Sequence, residues 1–300
     1  MKAIICTKHG PPDVLQLREV EKPIPEENEV LVKVHAGTVT TGDVMLRKLH
    51  PLLYLPMQLF GVRRKGIPGH EFSGEIEQVG ANVKKFKAGD QVFGTTTGLS
   101  VGANAEYVCI PEESGTGVLA VMPSNVIYDE AAAIPVGGMT ALQILRRANI
   151  QSGQKVLVYG ASGSVGTYAV QIAKYFGAEV TGVCSTKNID LVRSLGADKV
   201  IDYTKEDFTE SGETYDVIFD AVGKSSPEQD KKSLKPDGHR LSIQTSTKET
   251  MELLLFLKEL VELGKIKPVI DRRYPLEQTA EAHRYVEAGH KTGNVVITVA

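Results

Sequence analysis

Between Lys155 and Asp202 the chain reads KVLVYGASGSVGTYAVQIAKYFGAEVTGVCSTKN and continues to KVID. An apolar run rich in β-branched residues, Val156–Tyr159, meets a glycine-dense turn, then a helical pattern, then a second apolar run, Val180–Cys184. That order specifies a strand–turn–helix–strand unit whose turn can hold a pyrophosphate. Gly163 lets the backbone come close to a phosphate, and Gly166 lets the helix pack tightly on the sheet. The free N–H groups at the helix start then face the anion. A lone glycine triplet is weak evidence, but here the strand before, the helix after and the next strand are all in place. The alternative is a glycine-rich turn with a structural role only.

The spacing departs from G-x-G-x-x-G: it runs Ala161-x-Gly163-x-x-Gly166, with Gly160 immediately before. Alanine at the first glycine position still permits a tight turn if its φ stays negative. At the end of the second strand an NAD-type site places Asp or Glu on the ribose 2′-hydroxyl. This chain has Cys184-Ser185-Thr186-Lys187-Asn188 there, with no acid until Asp190. Hydroxyls and a lysine suit a 2′-phosphate, which a carboxylate would repel, so NADPH is expected over NADH. A solvated lysine at a strand end is the plainer reading of Lys187.

A chain of 300 residues makes one large domain or two ordinary ones. Hydrophobic content of 42% and charged content of 24% are those of a globular protein. The net charge of −3 argues against a phosphate-backbone binder, and the basic run Arg63-Arg64-Lys65 is too short to suggest otherwise. No nucleic acid partner is expected. Cys6, Cys109 and Cys184 are odd in number and lack C-x-x-C spacing, which fits free thiols in a reducing compartment. The start lacks the apolar core of a signal peptide, and no apolar span is long enough for a membrane helix. A cytoplasmic location is expected.

The first part is β-rich, with strands expected at Met1–Cys6, Val14–Glu19, Glu29–Val39, Phe72–Val79, Gln91–Thr95 and Ala105–Ile110. Such spacing suggests a small barrel-like domain. From Asp129 helices alternate with apolar strands, which specifies a parallel sheet covered on both faces. Helices are expected at Asp129–Ile134, Thr140–Ala148, Val165–Phe176, Ile189–Leu195 and Pro227–Leu234. The intervening strands are Val156–Tyr159, the one from Glu179, Val200–Ile201, Tyr215–Asp220 and Arg240–Ile243. Helices Lys248–Leu263 and Leu276–Glu287 precede a last strand, Asn294–Val299, expected outside the parallel sheet. The proline-broken apolar stretch Leu49–Pro68 reads equally as a packed loop or as a lid over an apolar pocket.

Taken together, Gly69-His70-Glu71-Phe72-Ser73-Gly74, Val83–Phe93, Ala131–Leu142, Gly160–Gly166, Leu195–Asp198, Asp220–Gly223 and Gly289–Val296 resemble the medium-chain dehydrogenase/reductase superfamily, in order through nearly the whole chain. The resemblance implies an α/β protein: a Rossmann doubly wound parallel sheet plus a GroES-like β-rich catalytic domain. The expected division is a catalytic domain at 1–125, completed by 270–300, and an NADPH-binding domain at 126–269. The alcohol-dehydrogenase branch binds catalytic zinc through a cysteine, the histidine of the GHE motif and a second cysteine. Here the cysteine positions hold Thr40 and Val136, and the lobe with four structural-zinc cysteines is missing. His70, with Glu71 beside it, cannot supply three protein ligands. No metal is expected, and His70 is read as a relic with a hydrogen-bonding role.

What remains resembles the zinc-independent NADPH:quinone oxidoreductases and their enone-reductase relatives, for which no Lewis acid is needed to stabilise an alkoxide. By position, Ser162, Gly163, Ser164 and Val165 are expected at the pyrophosphate, and Ser185, Lys187 and Tyr203 around the 2′-phosphate and adenosine. Val222 and Gly223 are expected at the ribose edge, and Thr140, Ser242, Ile243 and Asn294 toward the nicotinamide. Thr140 and Asn294 read equally as ordinary helix and turn residues. For the chemical step the candidates are Thr40, Asp43 and Tyr54. Relatives carry a further strand after the fifth; here Leu241-Ser242-Ile243 leads at once to Gln244–Thr247 and a helix, so roughly twenty to thirty residues are missing. A monomer or a non-standard homodimer is therefore expected. Two other functions stay open: a metal-free alcohol or carbonyl dehydrogenase, and a nucleotide-binding relative without turnover.

Overall fold

The computed structural model describes residues 1–49, 66–99, 101–114 and 117–299. Two compact units divide the chain. One comprises Met1–Val136, Glu249–Glu259 and Ile270–Ala300, and the other Gly137–Lys248 and Leu260–Val269. The first boundary between these units lies at Val136/Gly137, and residues 249–259 belong to the β-rich unit.

The second unit is built on five parallel strands: β8 (Lys155–Tyr159), β9 (Glu179–Cys184), β10 (Lys199–Asp202), β11 (Tyr215–Asp220) and β12 (Leu234–Ser242). Their order is β10-β9-β8-β11-β12, so β8 is central and β12 is an edge. Val156, Leu157 and Val158 are fully buried because layers cover both faces of a parallel sheet, which is why β8 reads as an unbroken apolar run. Helix α4 (Ser164–Tyr175) buries Gly166 through Ala173. A second cluster joins Leu157, Val183, Tyr215 and Ile218 to Phe208. Each fully buried aliphatic side chain of this kind stabilises by about 1.5–3 kcal/mol. Strand β12 starts six residues before the expected Arg240, through Lys235-Pro236-Asp237-Gly238. Proline and glycine argue against an interior strand, but an edge tolerates both.

In the first unit the strands are β1 (Lys2–Cys6), β2 (Leu15–Glu19), β3 (Glu29–Thr38), β4 (Glu71–Val79), β5 (Gln91–Thr95), β6 (Tyr107–Pro111), β7 (Leu119–Val121), β13 (Ile270–Pro275) and β14 (Asn294–Thr298). One sheet runs β13-β14-β3-β4-β5-β7, with β6 also on β3, while β1 and β2 form a separate pair. The last strand lies antiparallel to β3, outside the parallel sheet as expected. Strand β7, only three residues long, lacks a readable period of its own. Val30, Val32, Val34, Phe72, Ile76, Val92 and Ile110 form one core, and Ile4, Leu15, Val44, Leu276, Val295 and Ile297 another. Helix α1 (Thr41–Lys48) was not expected from the sequence. The other helices are α2 (Tyr128–Ala132), α3 (Pro135–Arg146), α5 (Ile189–Ser194), α6 (Pro227–Ser233), α7 (Met251–Glu262) and α8 (Thr279–Glu287). Among the described residues no helix is long and apolar enough to cross a membrane.

Candidate active site

In the second unit the expected cofactor residues, except Asn294 and Thr140, follow the C-terminal ends of the parallel strands, where ligands of such sheets bind. Gly160, at φ +81°, makes the turn after β8; a Cβ there would sit 2.5 Å from Val222 Cγ1. Ala161 needs no left-handed conformation, so the tight turn has moved one residue upstream of the usual fingerprint. A Cβ on Gly166 would lie 2.1 Å from Gly160 O, so only glycine lets α4 approach the turn. Gly163 differs: a Cβ would meet only Gly160 O, at 3.5 Å. Its bare backbone is the N-cap of α4, with no side-chain cap and no acid in the first turn. That surface suits a pyrophosphate, which the helix N-terminus would favour by charge and by hydrogen bonding.

Asn188 Nδ2 donates to Ser162 Oγ (2.9 Å) and Ser185 Oγ (3.4 Å), tying the phosphate turn to the end of β9. Ser185 is half-buried there and Lys187 exposed. Asp202, the acid nearest this loop along β10, accepts from Thr186 Oγ1 and from Thr204 N and Oγ1, which hold its pKa down. Tyr203 follows and is exposed. A cavity of about 470 Å³ opens beside it, walled by Tyr159, Tyr203, Phe208, Lys205, Lys224 and Gln229. Asp220 organises the next loop by accepting from the N–H groups of Val222 (3.1 Å), Gly223 (2.8 Å) and Ser225 (2.9 Å). Ser242 ends β12 and Ile243 follows it, and Thr140 lies half-buried on α3. The residues present fit a nicotinamide dinucleotide.

In the first unit, sheet register builds a second constellation. Phe72 faces Gly37 and Glu71 faces Thr95, so Thr38, Glu71 and Thr95 lie side by side at one end of β3, β4 and β5. Glu71 is buried and accepts from Thr38 Oγ1 (2.5 Å) and Val136 N (2.6 Å). Burial pushes its carboxyl up to about 7 against those two bonds. Thr95 Oγ1 and Thr97 Oγ1 donate to Glu249, which burial also raises. Burial lowers Lys291 to about 8, against the pull of Glu71 and Asp271.

Thr40 and Asp43 meet at the start of α1 in a reciprocal cap. Thr40 N and Oγ1 donate to Asp43 Oδ2 (2.7 and 2.6 Å), and Asp43 N donates to Thr40 Oγ1 (3.1 Å). T-x-x-D at a helix start is a capping-box variant, the signal by which α1 could have been read. Asp43 Oδ1 lies 2.5 Å from His70 Nδ1. The Asp43 charge holds His70 up at about 9 against burial. Burial would raise Asp43, but His70 foremost, with His283 and Thr40, outweighs it and holds the carboxyl at about 2. Sequence reasoning gave His70 a bonding role only; its ion pair and the approach of Glu249 depend on folding. Asn294 starts β14 in this unit and is buried, and Tyr54 lies outside the described residues.

The zinc of related dehydrogenases does not fit here. Thr40 and Val136 offer no thiolate, Glu71 is occupied by two donors, and the three cysteines form no disulfide and are buried on β1, β6 and β9. Among the described residues no three His, Cys, Asp or Glu side chains could hold a metal.

Comparison with known proteins agrees with this frame. Residues 26–123 match the alcohol dehydrogenase GroES-like domain, and residues 164–266 and 243–297 match two models of zinc-binding dehydrogenases. A 2-methylene-furan-3-one reductase of Solanum lycopersicum is 35% identical, over 99% of this chain and 79% of that protein. The chain belongs to the medium-chain dehydrogenase/reductase superfamily. It is an oxidoreductase that uses a nicotinamide cofactor on a small molecule. The chloroplastic NADPH-dependent alkenal/one oxidoreductase of Arabidopsis thaliana is 32% identical over 99% of this chain and 79% of its own length. The quinone oxidoreductase structure from Coxiella burnetii superposes with a TM-score of 0.88 at 30% identity, covering 100% of this chain and 99% of that one. The tomato alignment spans 324 positions, more than the 300 residues here, so that relative carries insertions.

Proposed function

We propose that the protein is an NADPH-dependent reductase that transfers hydride to a quinone or an α,β-unsaturated carbonyl without zinc. What carries this reading is the resemblance to the superfamily, by which the zinc-binding cysteines of the alcohol-dehydrogenase branch would fall at Thr40 and Val136, together with the absence among the described residues of three His, Cys, Asp or Glu side chains that could hold a metal. Alcohol oxidation needs a group that stabilises the alkoxide, whereas a conjugated acceptor spreads the incoming charge over its own π system. The names of the tomato, Arabidopsis and Coxiella relatives support the same acceptor classes.

When bound, the nicotinamide supplies the hydride. Ser162, Gly163, Ser164 and Val165 hold the pyrophosphate on the α4 N-terminus. Ser185, Lys187 and Tyr203 take the 2′-phosphate and adenosine, and the adjoining cavity receives the adenine ring. Val222 and Gly223 line the ribose, and Thr140, Ser242, Ile243 and Asn294 orient the nicotinamide. Thr40 and Asp43, with Tyr54, serve the chemical step. Three buried cysteines without a disulfide suit a reducing compartment, and the cytoplasm is the location this reading favours. The test is cofactor oxidation with a panel of short enones and quinones, run with NADPH and NADH, each with and without a chelator. Turnover with NADPH that survives chelation is expected. Activity confined to alcohols, or abolished by the chelator, overturns the reading.

A further inference from the structure

Strand β12 ends at Ser242, and the second unit keeps only Ile243–Lys248 of the segment that follows it. The run begins as a turn: Ile243 N donates to Asp220 O on β11 (2.9 Å), Thr245 N to Ser242 O (3.0 Å) and Gln244 N to Ser242 Oγ (3.2 Å). Beyond the turn, side chains of α3 hold the backbone. Gln143 pairs with Lys248 as one amide pairs with another: Nε2 donates to Lys248 O (3.1 Å) and Oε1 accepts from Lys248 N (2.7 Å). Arg147 Nη2, from the turn that ends α3, donates to Ser246 O (2.7 Å). Three backbone groups outside any strand or helix thus find partners 105 and 99 residues away in the chain.

This clamp acts on the part of the sheet that carries cofactor residues. Thr140, Gln143 and Arg147 are spaced by three and four, so they share one side of α3 and its last turn. At the other end of the run, a Cβ on Gly223 would lie 3.3 Å from Gln244 Nε2 and 3.5 Å from Ile243 Cγ2, so both side chains rest on the turn after β11. Thr140, Gly223, Ser242 and Ile243 are therefore linked through one short loop, pinned by β11 upstream and by α3 downstream, all within the second unit. A matching pair elsewhere in that unit provides the contrast. Gln171, buried on α4, donates to Lys267 O (3.0 Å) and accepts from Lys267 N (2.9 Å), and no residue assigned to the cofactor adjoins Lys267 in the chain.

We propose that Gln143 and Arg147 are positioning residues for the nicotinamide half of the cofactor: by holding residues 246–248 they fix Ser242 and Ile243. This rests on the NADPH reading above. The loop then loses its conformational freedom on folding and not on binding, which favours the bound state and keeps the hydride donor in one orientation. The adenosine half is read by Ser185, Lys187 and Tyr203, after β9 and β10, and does not depend on the run after β12. Gln143 and Arg147 thus serve one end of the dinucleotide only.

The experiment titrates the full chain with NADPH and with 2′,5′-ADP, which carries the adenosine and the 2′-phosphate but no nicotinamide. Wild type, Gln143→Ala, Arg147→Ala, Arg147→Lys and Gln171→Ala are compared, with Tm read on each. Gln143→Ala and Arg147→Ala are each expected to weaken NADPH about tenfold with 2′,5′-ADP affinity unchanged, a split that general loosening of the fold would not give. Arg147→Lys retains a donor and should recover part of the loss. Gln171→Ala should lower Tm and leave both affinities as in wild type. Arg147 is exposed, so its variants decide even if Gln143→Ala fails to fold. No loss of NADPH affinity, or an equal loss for 2′,5′-ADP, overturns the positioning role and leaves the reductase reading standing. Wild type that does not bind NADPH overturns the cofactor reading and the assignment with it.

Discussion

Lys187 and His283 show how single side chains translate into measurable quantities. Lys187 follows β9 where NAD-type sites carry an acid, and no carboxylate lies between Cys184 and Asn188. NADPH is expected to bind at least tenfold more tightly than NADH, about 1.4 kcal/mol. Lys187→Ala should lose that preference with NADH affinity unchanged; equal wild-type affinities, determined by titration, contradict the assignment. His283 is buried on α8, and burial lowers its pKa from 6.5 to about 4. The unfolded chain therefore binds the proton more readily, so His283 is without cost above about pH 6.5 and destabilises the fold as pH falls toward 4. Between pH 7 and 5 the loss is about 2 kcal/mol. His70 acts in the opposite sense: its raised pKa gives stability that is full below about 6.5 and is lost as pH rises through about 9. Urea unfolding of wild type and His283→Leu at pH 7 and 5 separates the two, since only wild type should carry the His283 loss. A pH dependence identical in both proteins would refute it.

The strand–turn–helix at Lys155–Tyr175 gives each glycine a distinct physical role. Gly166→Ala would place a methyl carbon 2.1 Å from Gly160 O, so α4 must move off the turn. A loss of about 3 kcal/mol or more is expected, seen as a fall in Tm and reduced soluble yield. Gly163→Ala meets only an ordinary contact, so Tm should stay within a degree or two while NADPH affinity falls about tenfold. If both variants lose stability alike, Gly163 is a structural residue and the phosphate assignment weakens. This element was legible in the sequence because its signals are local: a β-branched run, turn glycines and a 3.6-residue period. The first half of β12 was not, because Pro236 and Gly238 are acceptable only at an edge, and an edge is a property of the sheet. Glu249 was unreadable for a similar reason. Its partners Thr95 and Thr97 lie about 150 residues away, and only the folded chain brings them to it. The T-x-x-D cap of α1 was present in the sequence and simply outweighed by the β texture around it.

How the whole molecule associates turns on the free edge of the parallel sheet. Among the described residues strand β12 pairs only with β11, so its outer side presents an edge of the kind that recruits another chain. The residues along it oppose that recruitment. Pro236 has no N–H to donate, Asp237 adds charge, Lys235 is held by Asp216, and Arg240 by Asp230. Helix α7, whose sequence is apolar on much of its surface, offers little to a partner. Leu253, Leu254, Leu257, Leu260 and Val261 are buried within the chain, leaving Met251 and Leu255 at 40% and 48% exposure. Exposed apolar residues in such small number are normal for a monomer. The expected species is therefore a monomer of 32.5 kDa, with a weak non-standard homodimer only at high concentration. Light scattering over a hundredfold concentration series tests this, together with a Pro236→Val/Asp237→Thr double variant. Removing the two guards restores a pairing-competent edge, so the variant should associate or precipitate where wild type does not. A tight wild-type dimer, unaffected by the double change and joined through its β12 edges, would show that these residues do not protect the edge.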